Sequence, residues 1–323
     1  MKIIESYKQI NKLIKECSSV FIVGHKDLDL DALGACLAMY NYSIDNKKET
    51  YLIVDDKRME EAVSKVIKDL MENVHFIGSD KALKLKNGDS LLIVVDTNKN
   101  YLLQNTDLEH EFDTKIIIDH HEQGEGTMRN EKLVVIDTDS SSTCEMMTEF
   151  LKLNKFTIDS YLATILLSGI ILDTNNYVLK TDTNTFYYSY YLTTCGANPS
   201  KVQYLLKQDL NKYIKRQKMI TNVKMVNKIA ITKGMNDEVY RREELAKTAD
   251  TLLLFNNIEA SFVIARIDKK TVGISARSLG NINVGKILGM LGGGGDAYEA
   301  AAKIGDTTTN KLEKEVLGII RLL

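Results

Sequence analysis

The stretch "SSVFIVGHKDLDLDALG", residues 18–34, runs from an uninterrupted apolar segment into a loop with one histidine and three aspartates between His25 and Asp31. The apolar segment reads as a strand buried on both faces, and the residues after Asp31 as a helix. Similar short runs follow at 50–56, 74–78, 90–96, 115–121 and 133–137, with helical stretches such as 31–45 and 57–72 between several of them. Continuous apolar strands separated by helices predict a mostly parallel sheet covered on both sides. Three carboxylates packed so closely repel one another, and an ordinary turn needs only one of them.

The rest of the chain places that loop in context. The pattern is helical from about 141 to 172 and again, with more charge, from 201 to about 228; the only proline, Pro199, lies between them. A second strand group follows at 228–233, 261–267 and 271–278, then a glycine run, Gly292 to Gly295, and two helical stretches, the first being "DAYEAAAKI" at 296–304. The expected architecture is therefore α/β in two domains, 1–200 and 216–323, joined by a linker at 201–215. The first has a mostly parallel sheet, the second is smaller with a mixed sheet, and the active site is expected in the cleft between them.

Composition excludes several classes of function. The 323 residues carry a formal net charge of −2, without the basic excess that a general nucleic-acid coat requires, so long nucleic acid is not an expected partner. No apolar run approaches the roughly 18 residues of a membrane span, and the charged N-terminus is unlike a signal peptide. Cys17, Cys36, Cys144 and Cys195 show no paired spacing, which suits reduced thiols in the cytoplasm and argues against a zinc–thiolate site.

The chemistry gathers where strands end. His25 closes one predicted strand, Asp96 another in "LLIVVDTN", and Asp119, His120 and His121 a third in "KIIIDHH". Asp29 and Asp31 are placed in the loop entering the next helix, and Asp173 closes the helical run "LLSGIILDTNN". Sites in open parallel sheets lie beyond the carboxyl ends of the strands, so these residues are expected at one edge. Each has a plainer reading, as a helix cap for an aspartate or as solvated surface for the histidine pair. Together, four carboxylates in one pocket would raise one another's pKa unless two divalent cations neutralised them. Imidazole and carboxylate without thiolate suit Mn²⁺, and also Fe²⁺, Co²⁺ or Zn²⁺, better than Ca²⁺.

The segments "GHKDLDLDALG", "VVDTN", "IDHH" and "GIILDTNNY", in that order, resemble the DHH phosphoesterases. "ISARS" (274–278) and "LGGGGDAYEAAA" (291–302) resemble their DHHA1 domain. "SSSTCEMMTE" (140–149), "DTNNYVLKTDTNTF" (173–186), "ASFVIARI" (260–267) and "SARSLGNINV" (275–284) bring the resemblance nearest to the catalytic region of GdpP-type cyclic-di-AMP phosphodiesterases. The resemblance implies that His25, Asp29 and Asp96 hold one metal ion and that Asp31, Asp96, His120 and Asp173 hold another, with Asp96 bridging. It places His121 beside the scissile phosphate and has Asp119 orient its neighbours. The implied reaction is hydrolysis of cyclic di-AMP to linear pApA with two Mn²⁺ ions.

For substrate binding, Arg277, Ser275 and the backbone of Gly292, Gly293, Gly294 and Gly295 are the candidates, with Asn283 a lesser one. The glycines would form an anion-binding nest leading into a helix. The family pattern has histidine after the glycines, whereas this chain has Asp296, which is expected to face the pocket as a substrate-binding residue, the alternative being a cap on the following helix. Ser142 and Glu145 fit a capping box. A nanoRNase or pAp phosphatase acting on short linear oligonucleotides remains an alternative, as does a nucleotide-binding sensor with weak catalysis. The oligomeric state is left open, a homodimer included.

Overall fold

The computed structural model describes residues 2–55, 59–129, 131–207, 209–235 and 238–321. The chain divides into two compact units, residues 1–207 and 208–323. Most of the predicted linker, 201–215, is helical instead. Asn198 caps the helix Pro199–Leu205, with Pro199 at its first position, and Asp209 caps the helix Leu210–Ile220.

In the first unit six strands form one parallel sheet: β1 Ser19–Val23, β2 Glu49–Ile53, β3 Phe76–Ile77, β4 Ser90–Val95, β5 Thr114–Asp119 and β6 Leu133–Ile136. All six predicted strands are present; Asp56, at the end of the run 50–56, and residues 57–58 of the predicted helix lie outside the described residues. Alternate side chains of β1 serve opposite faces. Val20 and Ile22 pack among the helices Lys2–Glu16, Leu30–Asp45, Thr143–Leu153 and Ser160–Asp173. Phe21 and Val23 pack against Leu108 and Phe112 on the other side. Burial on both faces is why these strands read as unbroken apolar runs.

The strand order is β3-β2-β1-β4-β5-β6. The chain winds outward from β1 in one direction, then returns to place β4 on β1's other side. This reversal opens a crevice beyond the carboxyl ends of β1 and β4, where open α/β sheets bind ligands. His25 follows β1 and Asp96 follows β4. Topology alone therefore brings two of the candidate residues together.

The second unit has a mixed sheet of order β11-β12-β10-β9-β8-β7, comprising β7 Lys224–Val226, β8 Ile229–Lys233, β9 Ala260–Arg266, β10 Thr271–Ser278, β11 Gly294–Gly295 and β12 Glu299–Gly305. The pair β8–β9 is parallel and the rest are antiparallel. The helix Arg242–Leu252 covers one face, and Val284–Gly289 with Thr309–Ile320 covers the other. One prediction fails here: "DAYEAAAKI" is not a helix. Its residues 299–304 belong to β12, which pairs with β10 from Arg277↔Glu299 to Thr271↔Gly305. Alanine favours helix in isolation, but pairing with a neighbouring strand overrides that preference.

Among the described residues no helix is long and apolar enough to cross a membrane. All four cysteines are free thiols.

Candidate metal centre

The loop after β1 explains the first two aspartates. Asp29 is the N-cap of the helix Leu30–Asp45; its Oδ1 accepts the N–H groups of Asp31 and Ala32, both at 3.0 Å. Its other oxygen, Oδ2, lies 3.5 Å from His25 Nε2. One carboxylate thus caps a helix and faces the site. Asp31 was predicted in the loop but stands in the first turn of that helix, fully buried. It accepts the N–H groups of Thr143 on Oδ2 and Cys144 on Oδ1, each at 2.8 Å. Asp31 therefore sits against the N-terminus of another helix, where partial positive charge favours a carboxylate.

Asp96 lies at the centre. It follows β4 with φ of +60°, a left-handed conformation uncommon for residues other than glycine but tolerated by aspartate. Its Oδ2 is 3.4 Å from His25 Nε2, and its Oδ1 is 3.6 Å from His120 Nε2. Thr143 Oγ1 donates to that same Oδ1 at 2.8 Å. Beyond β5, His120 Nε2 is also 3.1 Å from Asp173 Oδ2, at the end of the helix Ser160–Asp173.

The six predicted ligands fall into two groups with ligand atoms within 4.8 Å of one another: His25, Asp29 and Asp96, and Asp31, His120 and Asp173. A third such group joins Asp96 to His120 and His121. His121 is half-exposed, and its Nδ1 lies 2.8 Å from Asp119 Oδ1. Asp119 is buried and also accepts Asn98 Nδ2 at 2.7 Å and the backbone N–H of His121 at 3.2 Å. Asn98 additionally donates to the His121 carbonyl at 3.1 Å. Neither Asn98 nor Thr143 was singled out in the sequence. Asn98 lies in "VVDTN" itself, two residues after Asp96. Thr143 adjoins the capping pair, of which Ser142 does cap its helix by accepting the Glu145 N–H at 3.0 Å. The Glu145 side chain turns to Ser141 instead of completing the box.

Buried carboxylates and imidazoles this close together shift one another's protonation. Burial, reinforced by Asp173 and Asp96, raises the Asp31 pKa well above the usual carboxylate range. Burial would raise Asp96 too, but the hydrogen bond to His25 and the nearby His121, His25 and His120 hold it low. Burial disfavours charge on His25, yet Asp29 and Asp96 outweigh it and lift its pKa well above that of free imidazole. At His121 partial loss of hydration works against the charge, but Asp119 and Asp96 overcome it, and the pKa is pushed up to about 10.

Among the described residues neither ring nitrogen of His120 has a hydrogen-bond partner, although the ring is only 3% exposed. Buried imidazole nitrogens are ordinarily paired. Here Nε2 faces two carboxylates, 3.1 Å from Asp173 Oδ2 and 3.6 Å from Asp96 Oδ1, an imidazole and carboxylate set that suits a divalent cation. The residues fit a metal.

The substrate candidates in the second unit are placed differently from expectation. Arg277 is largely buried, with Nε 2.8 Å from Asp250 Oδ1 and Nη2 3.5 Å from Glu299 Oε2. Its Nη1 donates to Ser275 Oγ, two residues earlier on β10, at 3.5 Å and to the Ala276 carbonyl at 3.1 Å. Gly292 and Gly293 donate their N–H groups to the Gly289 and Leu288 carbonyls, closing the preceding helix. Two of the donors an anion nest would use are thus occupied, and no helix follows to supply a dipole. Two of the glycines answer to packing: a Cβ on Gly295, whose φ is +144°, would lie 2.1 Å from the Glu299 carbonyl oxygen, and one on Gly293 would lie 2.5 Å from that of Ala301, whereas Gly292 and Gly294 meet nothing within 4 Å. Asn283 caps the helix Val284–Gly289 through the Lys286 N–H.

Asp296 caps a turn rather than a helix, its Oδ1 accepting the N–H groups of Tyr298 and Glu299, both at 2.7 Å. Replacing Asp296 with alanine is therefore expected to cost stability, about 1–3 kcal/mol for two lost hydrogen bonds. Asp296→Asn keeps the acceptor and should recover most of it. Thermal unfolding of the two variants checks this, and equal melting temperatures for alanine and wild type would refute it.

Comparison with known proteins agrees with this geometry. Residues 19–170 match the DHH family, N-terminal domain, and residues 222–320 match the DHHA1 domain. A cyclic-di-AMP phosphodiesterase GdpP from Geobacillus thermodenitrificans is 38% identical over 95% of this chain, and that from Bacillus subtilis 36% identical over 94%. The chain spans about half the length of these relatives, 48% in both cases. An exopolyphosphatase-related protein from Bacteroides fragilis superposes with a TM-score of 0.84 at 17% identity, covering 98% of this chain and 97% of that one. With both domains matched in order, and with the candidate ligands gathered at the sheet's switch point, the chain belongs to the DHH family and carries the DHHA1 domain.

Proposed function

We propose that this chain is a two-metal phosphodiesterase that uses Mn²⁺ to open cyclic di-AMP to linear pApA. The observation that carries the reading is the pair of ligand groups on either side of Asp96, whose two oxygens face different groups. The activity for which the 38% and 36% identical relatives are named supports the substrate. His25, Asp29 and Asp96 would hold one ion, and Asp31, Asp96, His120 and Asp173 the other. When bound, two divalent ions supply Lewis-acid stabilisation of a phosphoryl group and a water of lowered pKa.

The chain's own residues supply orientation and proton handling. Asn98 fixes the Asp119 carboxylate, and Asp119 holds His121 through Nδ1. That contact leaves Nε2 as the nitrogen to donate to a phosphate oxygen or to the leaving oxygen. In this reading His121→Ala keeps Mn²⁺ binding but lowers kcat by on the order of 10²–10⁴-fold. Single-turnover rates with matched metal titrations measure both; a variant that loses the metal together with activity would make His121 a ligand instead.

The substrate grip proposed for Ser275, Arg277, Gly292–Gly295 and Asp296 has less support. Arg277 is already paired with Asp250 and Glu299, so binding a phosphate would require exchanging a carboxylate for it.

The test is to incubate purified protein and Mn²⁺ with cyclic di-AMP, cyclic di-GMP, pApA and pAp and to separate the products. The reading expects pApA from cyclic di-AMP, abolished by chelation. Turnover of pApA or pAp with cyclic di-AMP untouched would assign the chain to linear substrates. Binding without turnover of any of the four would make it a sensor.

A further inference from the structure

Asp96 has to direct its two oxygens at different ligand groups, and its backbone does not do this alone. The backbone at Asp96 is left-handed, with φ of +60°, but rotation about the Cβ–Cγ bond would still swing the two oxygens out of line with the two groups. Such terminal torsions are broad and soft. Thr143 is the group that restrains it. Its hydroxyl donates to Asp96 Oδ1 at 2.8 Å, on the side facing His120 and His121, while Oδ2 is left toward His25. Its backbone N–H donates to Asp31 Oδ2 at 2.8 Å. Thr143 is completely buried and opens the helix Thr143–Leu153. One residue therefore holds the shared carboxylate and a carboxylate of the second group at once, through two different atoms.

We infer that Thr143 is a positioning residue that keeps Asp96 shared between two ions, and that without its hydroxyl the second ion is held poorly. The inference rests on the two-metal reading above. Freed from Thr143, the Asp96 carboxylate can rotate so that Oδ1 leaves the second group, which then has only Asp31, His120 and Asp173. The backbone bond to Asp31 survives any side-chain change, so the effect should be confined to sharing.

The experiment is a Mn²⁺ titration of the metal-free protein followed by electron paramagnetic resonance, which reports both the free ion and spin coupling between neighbouring bound ions. Wild type should bind two ions with a coupled spectrum, and Thr143→Ser should match it. Thr143→Val should bind one ion nearly as wild type does and the second roughly 10–100-fold more weakly, the usual penalty for removing a group that orients a ligand. Its coupled signal should be lost at sub-saturating metal. Thr143→Ala, smaller than either, gives the same reading if the valine methyl is not accommodated. Circular dichroism of the metal-free variants confirms that the fold persists. Two coupled ions of wild-type affinity in the folded valine or alanine variant would overturn the role of Thr143. A wild type that binds no Mn²⁺, or one ion only, would instead bring down the two-metal reading and the inference with it.

Discussion

Asp96→Asn is expected to abolish metal-dependent activity while leaving a folded protein. In the proposed two-metal reading both ligand groups share this carboxylate: Oδ2 is 3.4 Å from His25 and Oδ1 is 3.6 Å from His120. An amide offers one neutral oxygen where the site requires two anionic ones. The loss should exceed the roughly 10–100-fold typical of residues that only support a ligand. The backbone should accept the change, since asparagine tolerates a φ of +60° as well as aspartate does. The amide can still accept from Thr143 Oγ1. Metal content after dialysis, read beside circular dichroism and turnover, decides the matter. Retained turnover at saturating Mn²⁺ would remove Asp96 from the centre of the site.

The second large effect is expected at a residue with no side chain of its own, at Gly169→Ala. The helices Leu30–Asp45 and Ser160–Asp173 cross where a Cβ on Gly169 would lie 2.5 Å from Cys144 Sγ, 2.9 Å from Asp31 Cα and 3.0 Å from Asp31 Oδ1. The thiol can shift a little, but the Asp31 backbone cannot. Overpacking of this kind costs about 1–3 kcal/mol, a fall of several degrees in melting temperature for a unit of this size. Asp31 also receives two backbone N–H groups at 2.8 Å, so moving it disturbs the second ligand group. The variant should therefore lose thermal stability and affinity for the second ion together. Gly34→Ala, whose added Cβ would meet the same sulfur at 2.5 Å and then Ile165 at 3.5 Å, should lose stability with a smaller effect on metal. Equal metal binding by Gly169→Ala and wild type would show that the crossing does not set the position of Asp31.

Much of this was legible because it is local or periodic. Apolar runs with both faces buried mark the six strands of the first sheet, and the strand ends then locate His25, Asp96 and His120. What stayed hidden is what depends on distant partners. Asp31 looked like a loop residue and a cap, but its neighbour Asp29 is the cap, and Asp31 is bound by Thr143, 112 residues away. No spacing rule links such positions. The "DAYEAAAKI" segment misled because alanine-rich sequence favours helix, yet Ala300 and Ala302 are buried while Ala301 and Lys303 are exposed. That alternation was present, but too short and too poor in β-branched residues to outweigh propensity. The glycine run looked like an anion nest for a related reason. The close approach of β12 that requires Gly293 and Gly295 to lack a Cβ appears only once the hairpin is formed.

Anomalous diffraction at the manganese edge, from crystals of metal-free protein soaked in Mn²⁺, tests the central claim most directly. The account predicts two peaks sharing Asp96, one among His25, Asp29 and Asp96, the other among Asp31, Asp96, His120 and Asp173. A single peak, or peaks away from these residues at full soaking, would contradict it.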